Sequence, residues 1–250
     1  MKEKLLSLKN KPVILLAVAA VLLLVSTVGA TQAAITATNK DSYTAKMQAP
    51  TLSVSLLENQ GTEEDSFVEI GKSVILSKML DQSNGKLIPG KIYKEELKVQ
   101  NDGDTDAYVR VVITKNWLDA DGKPDRMLSP KNIKLVFDDQ GEWIVDASAS
   151  TSERTVLYYK NILSAKGGVT PVFLETLQVQ NGFDLIVKEE KVSESNGYKV
   201  IEYSHPYDGY SMNISVEVDA VQTYDAAEAI KSAWGVEATL ADGVITEIKS

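Results

Sequence analysis

Asp119, Asp121 and Asp125 stand close together around Gly122. Hard carboxylate oxygens spaced around a glycine-permitted turn are the ligand type that Ca²⁺ takes. An EF-hand loop counted from Asp119 needs a bidentate Glu at its twelfth position, and that position is Pro130. The three aspartates are therefore incomplete Ca²⁺ candidates, and a plain solvated turn is the simpler reading. Asp102, Asp104 and Asp106 repeat the pattern around Gly103 and are equally incomplete. His205 precedes Pro206 among Tyr203, Tyr207 and Tyr210, and reads as a loop imidazole packed on tyrosines. Glu63-Glu64 and Glu189-Glu190 would be a glycosidase acid and base only at a fixed carboxyl separation, and exposed loop charge is the simpler reading. Trp117, Trp143 and Trp234 could form a carbohydrate platform, but core or half-buried roles are expected. No catalytic or cofactor-binding residue is assigned.

Composition narrows the chemistry further. The 250 residues include one His and no Cys. That removes disulfides, thiolate metal sites, a cysteine nucleophile and any multi-histidine metal centre. A Ser-His-Asp triad would have to use His205. The net charge is −9, so nonspecific nucleic-acid binding, which needs a basic surface to displace counterions, is not expected. Hydrophobic residues at 44% and charged residues at 24% are those of a folded globular chain.

The N-terminus reads as an export signal. Lys2, Lys4, Lys9 and Lys11 precede an uncharged apolar run over 12–30, and small residues follow in GATQAA, 29–34. The core of that run, Val13 to Val28, is 16 residues, short of the ~20 that a spanning helix needs. Cleavage is expected after Ala30 or after Ala33. Loss of residues 1–33 takes away four Lys and one Glu, moving the charge from −9 to −12.

Beyond Pro50 the chain breaks into short runs of Val, Ile, Leu and Tyr separated by Asn, Asp, Gly and Pro, which is a strand pattern. Strands are expected at 51–56, 74–76, 91–99 (with a bulge between Tyr93 and Leu97), 107–114, 133–137, 142–145, 155–159, 171–174, 183–187, 198–203 and 211–221. The β-branched run at 107–114 suits a central strand. Met212, Ile214, Val216 and Val218 alternate onto one face. Gly103 is expected to supply a positive φ at a turn. Residues 188–196 are polar and read as a loop or hairpin tip. A short helix is expected over 225–233, with Asp225 as N-cap and Glu228 at the capping-box position. A small hairpin is expected around Asp242-Gly243.

Several of these segments, in order, are similar to one family. They are GATQAA with the Ala/Thr-rich stretch and TLSV behind it, VQNDGDTDAYVR at 99–110, WLDADGKPD at 117–125 leading to WIV and LYYK, and VDAVQ at 218–222 with AWG at 233–235. The chain resembles the secreted TasA/camelysin-type proteins of Gram-positive bacteria, matured by a SipW-type signal peptidase, and within them the clostridial biofilm-matrix branch. Residues 236–250 continue past the Trp-Gly end such a protein would have.

The resemblance implies cleavage after Ala33, a mature N-terminus at Ala34, no catalytic groups, no cofactor, and assembly into extracellular fibres. The strand and turn pattern itself means an all-β sandwich or barrel, and the fold expected is a jelly-roll-like antiparallel β-sandwich with one or two short helices, preceded by an N-terminal signal helix. The chain then divides into a signal peptide over 1–33, an N-terminal segment over 34–50 and the sandwich over 51–250. In the middle segment Tyr43, Ala45 and Met47 alternate, as an assembly strand inserted into a neighbour's sheet edge would. The expected partner is the chain itself or a paralogous matrix subunit. The runner-up function is a cell-surface binding module or a camelysin-like protease.

Overall fold

The computed structural model describes residues 36–38, 51–60, 66–70, 87–138, 140–181, 189–195, 198–204 and 209–250. The expected signal helix, the strands at 74–76 and 183–187, His205, Glu63-Glu64, Ala33, Ala34, Tyr43, Ala45 and Met47 lie outside these residues.

In chain order the strands are β1 (Thr36–Thr38), β2 (Val54–Asn59), β3 (Phe67–Glu69), β4 (Ile92–Asn101), β5 (Ala107–Leu118), β6 (Pro124–Asp125), β7 (Ile133–Phe137) and β8 (Trp143–Val145). They continue with β9 (Arg154–Tyr159), β10 (Gly168–Val169), β11 (Leu174–Val179), β12 (Glu189–Ser195), β13 (Tyr198–Ser204) and β14 (Ser211–Gln222). Helix α1 (Ala226–Trp234) and the hairpin of β15 (Glu237–Ala241) and β16 (Val244–Lys249) close the chain.

Two antiparallel sheets pack face to face. The first has the order β1-β14-β5-β9-β8, with β6 extending beside β5. The second has the order β3-β2-β4-β11-β7, with β10 beside β4. Alternation explains the core between them. Val109, Val111 and Ile113 of β5 and Val218 and Ala220 of β14 point inward from the first sheet. Val54, Leu56, Leu97, Val99 and Leu174 meet them from the second. The β-branched run at 107–114 is central, as expected, with neighbours on both sides.

The opposite face of the first sheet is buried as well. Tyr108, Val112 and Tyr158 alternate outward and pack under α1 and the closing hairpin, against Ile230, Trp234 and Ile245. The Tyr108 hydroxyl donates to the Gly243 carbonyl at 2.8 Å. The hairpin turn falls where Asp242-Gly243 placed it, with φ of 51° and 80°, the pair of positive values a two-residue turn of this hand requires.

Some expectations are corrected. Asp225 precedes α1, but with φ 47° and ψ 51° its carboxyl makes no cap hydrogen bond, so no capping box forms with Glu228. Residues 189–195, read as a loop or hairpin tip, form one arm of a two-stranded hairpin with β13. The strand expected at 171–174 begins at Leu174 and runs to Val179. Ile92 of β4 is 63% exposed while Tyr93 is buried. The bulge between Tyr93 and Leu97 is present: Leu97 pairs with Leu174 and Lys94 with Thr176, so β4 spends one extra residue there.

Gly103 is needed for a reason other than the expected positive φ. It is not among the glycines with positive φ. A Cβ there would lie 2.4 Å from the Thr51 carbonyl oxygen and 2.8 Å from the Ser53 nitrogen. The chain before β2 docks on this turn, with the amides of Asp102 and Gly103 donating to Ser53. Beneath it Asn101 is fully buried and its amide donates to the carbonyls of Thr105 and Leu163.

Candidate functional site

The sequence candidates are dispersed. Asp119 is spent on its own turn: its carboxylate accepts the amides of Asp121 and Lys123 at 2.9 and 2.8 Å. Asp125 accepts the Met127 amide and the Tyr210 hydroxyl at 2.8 and 2.6 Å. Those bonds, Tyr210 first, hold its carboxyl below the usual range. Asp102 accepts from Gln100, Asp104 from Thr51 and Asp106 from the Ala165 amide, so each points to a different partner. Among the described residues no group of three or more His, Asp or Glu is placed to hold a metal ion. Glu189 and Glu190 lie on β12. The three tryptophans are buried in three different clusters, which rules out a shared platform.

The feature with the clearest assembly chemistry is the outer side of β14. Its inner side pairs with β5 over all twelve residues. Among the described strands its outer side carries β1 alone, through Thr36 opposite Val221, Ala37 opposite Ala220 and Thr38 opposite Asp219. No other described strand flanks β14 there. Burial declines along β14 away from the end that β1 covers. Val218 and Ala220 are 3% and 0% exposed, whereas Met212, Ile214 and Val216, on the same face, are only half-buried. An edge of this kind offers backbone donors and acceptors with apolar side chains beside them, which is the chemistry of strand addition.

An ion pair anchors the occupied end of that edge. Asp219 is almost fully buried and receives Nε and Nη2 of Arg110 at 3.0 and 2.5 Å. Arg110 and Asp219 are directly opposite in the β5–β14 ladder, so the pair crosses one strand spacing. The guanidinium lies 5.4 Å from the Trp234 ring, and Trp234 packs on Tyr158 at 5.5 Å. The stack on an aromatic face suits Arg rather than Lys.

A second buried polar pair was missed in the sequence. Glu58 and Glu95 are 0% and 2% exposed and face the interior from β2 and β4. They share a hydrogen bond, while Glu95 Oε1 finds no partner among the described residues. Burial first, then the bond and charge of Glu58 and the charge of Glu96, push the Glu95 carboxyl from 4.5 up to about 9. Glu95 is therefore a carboxylic acid at neutral pH. The period-2 pattern did carry the signal, since Glu58 alternates with Val54 and Leu56, and Glu95 with Tyr93, Leu97 and Val99. Neither carboxyl reaches solvent, so the pair does not read as a catalytic acid and base.

No protein-family model, no curated protein and no solved structure matches this chain.

Proposed function

We propose that the chain is a non-enzymatic structural protein of an extracellular matrix, exported and then joined to its neighbours by strand addition. On this reading its two packed sheets are a jelly-roll-like sandwich of the TasA/camelysin type, and a signal peptidase cuts after Ala33. The partner is a second copy or a paralogous subunit. The observation that carries the reading is β1. It begins two residues after the expected new N-terminus and covers three of the twelve positions of β14. A ladder this short is easily exchanged for the same segment of a neighbour. Donation from one subunit to the edge of the next is head-to-tail and does not close on itself, so it builds a filament.

Electron microscopy tests this. The chain beginning at Ala34 is expected to form fibres. The same chain with residues retained in front of Ala34 is expected to stay dispersed, as is a truncation that begins at Thr51. Fibres from the truncation would overturn strand donation. Dispersed particles from all three would overturn self-assembly and favour an accessory role beside a paralogue.

A further inference from the structure

The far end of the first sheet, away from β1, holds a recess of about 530 Å³. Its walls come from 114–116 of β5, from β6 and the residue after it, and from the turn that enters β9. That turn is pinned: Thr151 Oγ1 accepts the amides of Glu153 and Arg154 at 3.2 and 3.1 Å. The β5 wall is tied to it, because the Lys115 amide donates to the Glu153 carbonyl at 2.8 Å.

Among the described residues three cations line the recess: Lys115, Arg126 and Arg154. Two carboxylates accompany them, Asp125 and Glu153. The carboxylates are already engaged. Asp125 is held by Tyr210 and Met127. Glu153 stands 3.8 Å from Arg126, an exposed contact that is screened by solvent. Arg154 makes no ion pair among the described residues. Lys115 is half-buried and its ammonium donates to the Ile133 carbonyl, leaving further donors for a guest. The recess is thus locally cationic in a chain whose net charge is −9. Thr114, Asn116 and Thr151 add hydroxyl and amide groups, and among the described residues no aromatic one lines it. Its volume falls in the range of small-ligand sites.

We infer that this recess binds a sugar bearing one phosphate or carboxylate, with Arg154 as the fork on the anionic group and the hydroxyl and amide wall on the sugar hydroxyls. This inference stands apart from the fibre reading, since the recess and the β14–β1 ladder share no residue.

The test is a titration of the ¹⁵N-labelled chain with glucose 6-phosphate, glucuronate, inorganic phosphate and glucose in turn, followed through the amides of 114–116 and 151–154. Saturable shifts are expected with glucose 6-phosphate or glucuronate, and none with glucose, up to about 10 mM. Whichever of the two binds more tightly distinguishes a phosphate source from a carboxylate one. Arg154→Ala should weaken binding by about tenfold or more, and the charge reversal Arg154→Glu should abolish it. Both replace an exposed side chain, and an unchanged unfolding midpoint verifies their fold. No saturable shift with any probe would overturn the inference. Binding unaffected by either variant would do the same, as would inorganic phosphate binding as tightly as the sugar phosphate, which would mark a plain anion site.

Discussion

Ala37 lies directly opposite Ala220 in the short antiparallel ladder that joins β1 to the edge of β14. Proline at position 37 removes a backbone donor and resists a ladder on both sides. Ala37→Pro should leave the unfolding midpoint of the monomer nearly unchanged, because three edge pairs carry little of its stability. It should abolish fibres in electron micrographs. Fibres of ordinary length from this variant would mean that the ladder plays no part in assembly.

The Arg110–Asp219 pair sets a second expectation. Removing one partner of a buried pair leaves an uncompensated charge, at about 3–5 kcal/mol. Asp219→Ala should lose stability of that order in urea unfolding. Arg110→Lys should lose less but measurably, since an ammonium cannot reproduce the two contacts to Asp219 or the stack on Trp234.

Glu95 makes stability fall as pH rises. The unfolded carboxyl ionises near 4.5, while the folded one keeps its proton up to about 9. Between those values the folded state binds more protons, so stability is full below about 4.5 and is lost toward 9. The slope approaches about 1.4 kcal/mol per pH unit. Glu95→Gln cannot ionise and keeps a donor toward Glu58. Its advantage over the natural chain should widen from pH 5 to pH 9 in thermal unfolding. Parallel pH curves for the two proteins would show that Glu95 is ionised in the fold.

Gly103 is a contact glycine. Ala there would press its methyl against the backbone of Thr51 and Ser53, neither of which is a flexible side chain. Gly103→Ala should destabilise by about 1–3 kcal/mol, the usual cost of overpacking, read from the urea midpoint. Thr105→Ala nearby keeps its backbone carbonyl for Asn101 and should cost much less.

The sheet interior was legible where burial on one face writes a period of two, as in β5 and β14, and where turn chemistry is specific, as at Asp242-Gly243. It was misread where tertiary context outweighs local pattern. Glu95 obeys the inward alternation, but its charge argues for solvent until Glu58 is seen across from it. Leu174–Val179 begins where the expected strand ended, because Thr and Gln occupy its outward positions and hide the apolar half. The Arg110–Asp219 pair is 109 residues apart in sequence and visible only through the β5–β14 register. The recess at Lys115 and Arg154 had no local signal, since three separate segments converge on it.

A cysteine pair reports whether β1 of one copy occupies the β14 edge of the next. The chain has no cysteine of its own. Opposed residues of an antiparallel ladder lie about 4.5–5.5 Å apart at Cα, within disulfide reach. Ala37→Cys with Ala220→Cys, in the chain beginning at Ala34, should oxidise under fibre-forming conditions into a ladder of covalent multimers on a nonreducing gel. A product that stays monomeric, with its disulfide closed within one chain and fibres nonetheless present, would contradict strand exchange.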